Sequence, residues 1–204
     1  MRSEGGSASS VFAALKNYGL MLRQDKVLPS VVGMITGESL RTSWWSHPKS
    51  HLIYSVLSEL SEHSEVLFTK LLAGKDTLVH SSLWPALLAV GSARDQWQLR
   101  GLSAAATDLL ERVDRSASAV RASGAACKEI QARLLASSYE IHTEDGRHAM
   151  MVEGWSAWSG RISCTALTSV DESRRMLEQA ATKLGAPLHY LPWRSRDRNR
   201  ARTN

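Results

Sequence analysis

Residues 43–60 read SWWSHPKSHLIYSVLSEL, two tryptophans, two histidines and a lysine packed ahead of an apolar run. Leu52, Ile53, Val56, Leu57 and Leu60 recur at helical spacing, which predicts a helix from about Pro48 to Glu62. The first-turn N–H groups of such a helix have no partner within it and carry partial positive charge, so they favour an anion. Ser46, His47, Lys49, Ser50 and His51 crowd that end with hydroxyl, imidazole and ammonium donors, a set suited to phosphate, or to capping the helix. Trp44 and Trp45 stand at the entrance, where they either stack on a base or anchor the helix in the core.

Further candidates lie downstream. Lys70 and Lys75 fall on a predicted hairpin, one on a strand and one at its tip, where a lysine serves either a phosphate or plain solubility. Gln96-Trp97-Gln98 is a polar-apolar-polar triplet whose two amides share a face on an extended loop but not on a helix. His142 and His148 flank Asp145-Gly146. A two-residue turn there sets His142 opposite Ala149 and sends the two histidines to opposite faces, where they cannot share a metal ion. Cys127 and Cys164 follow no metal-ligand or redox spacing, the usage of a reduced, intracellular protein. G-x-S-x-G, Walker, G-x-G-x-x-G, HExxH and CxxC patterns are absent, and no metal or cofactor is expected.

Charge is unevenly placed. The net charge is +5, yet Arg194, Arg196, Arg198, Arg200 and Arg202 face only Asp197 in the final RSRDRNRARTN, so the remainder is close to neutral. A segment with almost no apolar content cannot form a core, so residues 194–204 are expected to be a mobile basic arm attracted to phosphates. The start, MRSEGGSASS, lacks the apolar run of a secretory signal, and no stretch approaches a membrane span, which points to a cytoplasmic protein without a membrane partner.

The elements that must position these residues are predicted as follows. SSVFAALKNYGLMLRQ places Val11, Leu15, Tyr18 and Leu22 on one helical face, with Ser9 or Ser10 as cap. A short helix follows from Pro29 to Gly37, then the helix discussed above. Val66 to Leu72 and Thr77 to His80 form a hairpin around Gly74. Helices resume in LWPALLAVGSARDQWQL, in GLSAAATDLLERVDRSASAVRA with Ser103 as cap, and in AACKEIQARLLASS. A second hairpin, YEIHTEDGRHAMMVEGW, comes next. A last helix opens near Ser169 and closes at Gly185, and APLHYLPW docks on the body as an extended segment. The expected organisation is a disordered start (1–8), a first module (9–92), a second helix-plus-hairpin module (93–160), a C-terminal helix with its docking segment (161–193) and the basic tail.

Three helices followed by a hairpin is the winged-helix order, in which the third helix enters the DNA major groove and the hairpin lies along the backbone. With EVLFTKLLAGKDTLVH and YEIHTEDGRHAMMVEGW closing two such units, residues 11–158 resemble bacterial tandem winged-helix proteins and, distantly, the YcaQ/AlkZ group of winged-helix DNA glycosylases, whose Gln-apolar-Gln motif is echoed by Gln96-Trp97-Gln98. The expected fold is mainly α with small β-hairpins. The expected function is non-enzymatic binding of double-stranded DNA, with Lys49, Lys70 and Lys75 on one face. Two alternatives stand beside it, a base-excision type enzyme and a protein-interaction module that meets a partner or a second copy.

Overall fold

The computed structural model describes residues 6–142 and 148–194. It is an α+β protein in which helices surround two small antiparallel sheets of three strands each. None of the described helices is long and apolar enough to cross a membrane.

Helix α1 (Ala8–Tyr18) is capped by Ser7, whose Oγ accepts from the Ser10 amide at 3.2 Å, rather than by Ser9 or Ser10. Of the start expected to be disordered, residues 1–5 lie outside the described residues, and Gly6 is packed rather than loose. Gly6 is buried so tightly that a Cβ there would sit 2.5 Å from the Ile35 Cα. The helix also ends earlier than its spacing suggests. Gly19, at φ 78°, closes it, and Leu20–Leu22 forms a strand, β1. Leu22 is therefore buried from a strand and not from the helical face.

Helices α2 (Val31–Thr36) and α3 (Ser50–Glu62) follow, with Ser30 rather than Pro29 opening α2. Strands β2 (Val66–Leu72) and β3 (Lys75–His80) then form the expected hairpin. Its connection is Ala73-Gly74, with φ of 53° and 68°, the paired positive angles of a type I′ turn whose twist matches that of the strands. Central β3 pairs with both β1 and β2, giving the order β1-β3-β2. All three residues of β1 are buried because both faces of the sheet are covered. Met21 and Leu78 face α1–α3, while Leu20, Leu22 and Val79 face a second core.

That second core is built by α4 (Trp84–Ser92), α8 (Trp155–Ile162) and α9 (Val170–Lys183). α4 is apolar on nearly all sides and accordingly buried. A one-turn helix, α5 (Gln96–Leu99), leads to α6 (Ala104–Arg115), β4 (Val120–Arg121), α7 (Gly124–Ala132), β5 (Ser137–His142) and β6 (His148–Glu153). These strands take the order β4-β6-β5, the same scheme as in the first sheet. Ser103 and Ser169 cap α6 and α9 as expected. Strands β1 and β4 and helix α8 are additions to the expected elements.

The register of the second hairpin differs from expectation by one residue. His142 pairs with His148, and Ala149 with Ile141. The Asp145-Gly146 turn itself lies outside the described residues. The segment after α9 docks as predicted, with the Ala73 amide donating to the Tyr190 carbonyl at 2.7 Å and Leu191 fully buried, although residues 188–190 coil into a 3-10 turn. Arg194 belongs to this docked body and not to the tail: its Nε and a terminal nitrogen donate to the two Glu178 carboxylate oxygens at 2.8 and 3.1 Å.

Candidate nucleic-acid interface

The two tryptophans divide the roles that the sequence left open. Trp44 is 5 % exposed and packs with Ile53 and Val56 in the first core. Trp45 is 64 % exposed and lies flat on Trp44, centroids 4.0 Å apart and rings inclined by 24°. Tyr54 of α3 lies 6.2 Å from Trp45 and is also exposed.

The polar cluster at the start of α3 is largely engaged within the protein. The Lys49 ammonium donates to the Ile35 and Thr36 carbonyls at 2.8 and 3.3 Å, a cation satisfying the C-terminal end of α2. His47 accepts from the Lys49 amide through Nδ1 and pairs through Nε2 with Glu38 at 3.1 Å. The Ser46 hydroxyl donates to the Ser43 carbonyl. Ser50 is half-buried, and His51 is exposed at the first turn.

Lys70 and Lys75 share a site, and Lys49 does not join them. Lys70 pairs with Asp76 at 2.5 Å, as does Arg23 at 2.8 Å, while Lys75 pairs with Asp25 at 2.6 Å. These residues line a hollow of about 350 Å³ between the β1–α2 loop, the turn end of the hairpin and the loop at 40–42. The Gln24 side-chain amide donates to the Thr42 carbonyl at 2.7 Å and ties that loop down. Burial raises the pKa of Asp25, but the Leu28 and Val27 amides and the Lys75 ammonium outweigh it and hold the carboxyl below the usual aspartate value. Arg23, Lys26, Arg41, Lys70 and Lys75 thus face only Asp25 and Asp76, an excess of three positive charges. Lys26 and Arg41 are exposed and have no ion-pair partner among the described residues.

A larger cleft, about 920 Å³, opens between α6, β6 and α8. Two of its three arginines are matched there, Arg94 with Asp114 at 2.5 Å and Arg161 with the buried Glu153 at 2.7 Å, so with Arg115 it carries an excess of one positive charge against three in the smaller hollow.

The glutamine triplet does not make a site. On α5, Gln96 faces solvent while Gln98 is fully buried, its amide spent on backbone groups of three segments. His142 and His148 are cross-strand partners, so the geometry expected to separate them does not hold. No group of three or more His, Cys, Asp or Glu side chains able to hold a metal occurs among the described residues. Arg196 and Arg198 lie outside the described residues.

His80 is a second buried titratable group of the first module. Its Nδ1 accepts from the Ser82 amide at 3.2 Å, so the neutral ring carries its proton on Nε2, which has no partner and lies 4.0 Å from a Glu65 oxygen. Burial lowers the His80 pKa below its ordinary 6.5; Lys16 and His63 lower it further, against Glu65, which raises it. Below about pH 6.5 the unfolded chain therefore binds the proton more readily, and stability falls as pH drops through that range toward the folded pKa. Urea titrations at pH 8 and pH 5.5 should show a larger loss for the wild type than for His80→Asn, which keeps an acceptor for Ser82 but does not titrate. Equal losses would show that His80 is not the group responsible.

Arg23, Lys26 and Arg41 were not singled out by sequence reasoning; the only local signal is the charged run RQDK at 23–26. Comparison of the chain with protein-family models, curated proteins and solved structures finds no match.

Proposed function

We propose that the protein is a non-enzymatic nucleic-acid-binding protein that engages double-stranded DNA through its first module, in a chain of two winged-helix units. The supporting topology is the helix-strand-helix-helix-strand-strand order of residues 8–80 with sheet order β1-β3-β2. Residues 104–153 repeat the scheme without a third helix, which leaves the first unit as the reader.

The observation that carries the reading is the basic hollow at the turn end of the first hairpin. Its uncompensated cations, above all Lys26 and Arg41, suit phosphates running past the hairpin. This moves the backbone contact from the start of α3, where Lys49 is occupied, to the β1–α2 loop. The basic tail adds attraction that carries no base information.

Fluorescence anisotropy with duplex DNA of random sequence at about 50 mM salt tests it. Binding should weaken steeply as salt rises. The double variant Lys26→Ala, Arg41→Ala should bind more weakly to all sequences and flatten the slope of log affinity against log salt by about 2, one unit per lost phosphate contact. Absence of wild-type binding at that salt defeats the proposal, and a double variant indistinguishable from wild type would leave only the tail as the contact.

A further inference from the structure

Trp45 is spare from the standpoint of folding. Its neighbour Trp44 fills the core, while Trp45 keeps most of its surface in water although it lies flat against a buried ring that fixes its orientation. Tyr54 extends the same exposed aromatic surface along α3. Arg41 and Trp45 are four positions apart, and four such steps span at most about 14 Å, the rise of about four stacked nucleotides along one strand. A strand whose phosphates occupy the basic hollow therefore passes within reach of the indole.

Inside a continuous duplex both faces of every base are covered by its neighbours, so an indole has nothing to stack on. An unpaired base offers a free face, and stacking of this kind tolerates any base identity because every base has one. The excess positive charge of the hollow, with Arg41 within about 14 Å of Trp45 along the chain, favours a polyanion over an apolar protein surface as its occupant. Resting on the nucleic-acid reading above, we infer that the preferred ligand is a duplex carrying an unpaired base, as at an overhang or a bulge, with Trp45 as the stacking platform and the hollow as the phosphate anchor.

The test compares three labelled ligands by anisotropy: a blunt duplex, the same duplex with a three-nucleotide overhang, and the single strand. The proteins are the wild type, Trp45→Ala, Trp45→Phe and Lys26→Ala. The wild type should prefer the overhang to the blunt duplex by about 5- to 150-fold, the range of one base–aromatic stack. Trp45→Ala should lose that preference with blunt-duplex affinity unchanged, Trp45→Phe should recover part of it, and Lys26→Ala should weaken all three ligands alike. Because Trp45 is exposed, unchanged thermal melting is expected for both of its variants. Equal wild-type affinity for overhang and blunt duplex overturns the inference while leaving duplex binding intact, and so does a preference that survives Trp45→Ala. No binding to any of the three ligands overturns the nucleic-acid reading and this inference together.

Discussion

Gln98→Ala should lower the stability of the protein by about 3–5 kcal/mol, the range for removing a buried hydrogen-bonded network together with its volume. Gln98 is 0 % exposed, and its Nε2 donates to the carbonyls of Gly91 and Arg133, both at 3.2 Å, while its Oε1 accepts from the Asp95 amide at 2.9 Å. One side chain thereby satisfies the ends of α4 and α7 and caps α5. Alanine strands those backbone groups in a site that excludes water, where each costs about 1–3 kcal/mol. Urea denaturation of the purified variant measures the change. A loss under about 1 kcal/mol, the net value of a single hydrogen bond, would show that water or a rearranged backbone replaces the amide. The same geometry separates Gln98 from solution chemistry, since no polar atom of its amide is left to position a substrate.

Gly91→Ala should destabilise by about 2–3 kcal/mol despite the higher helix propensity of alanine. The added Cβ would lie 2.4 Å from Trp155 Nε1 and 2.5 Å from its Cε2. The indole cannot retreat freely. It donates to the Leu134 carbonyl at 2.8 Å and meets Trp158 edge-on at 5.4 Å, and Trp158 in turn meets Trp84 at 5.5 Å. Propensity alone favours the variant by about 1 kcal/mol, so the sign of the result decides which effect governs. A chemical denaturation curve with tryptophan fluorescence reports both stability and the disturbed rings; a stabilised variant would show that α4 and α8 are not packed at this distance.

These two sites also mark how far the sequence reaches. Helices α3, α6 and α9 and the first hairpin were legible because their signals are local: apolar periodicity, Ser103 and Ser169 as caps, and a glycine able to take positive φ in the turn. Strands of three and two residues have no such signal. β1 and β4 exist only because β3 and β6 offer them partners more than fifty and at least thirty residues away. α8 was hidden for a related reason, since its glycine and serines depress helix propensity and the burial of Trp155 and Trp158 compensates. The candidate site divides in the same way. The sequence by itself determined that cations and aromatics concentrate around residues 44–51 and on the first hairpin. Only the tertiary structure decided which remain available: Lys49 is taken up by the end of α2 and Lys75 by Asp25, fifty residues away in the chain, whereas Lys26, Arg41 and Trp45 face solvent. A side chain's charge is written in its own residue, but its neutralisation depends on what the folded chain brings within about 4 Å of it, the reach of an ion pair.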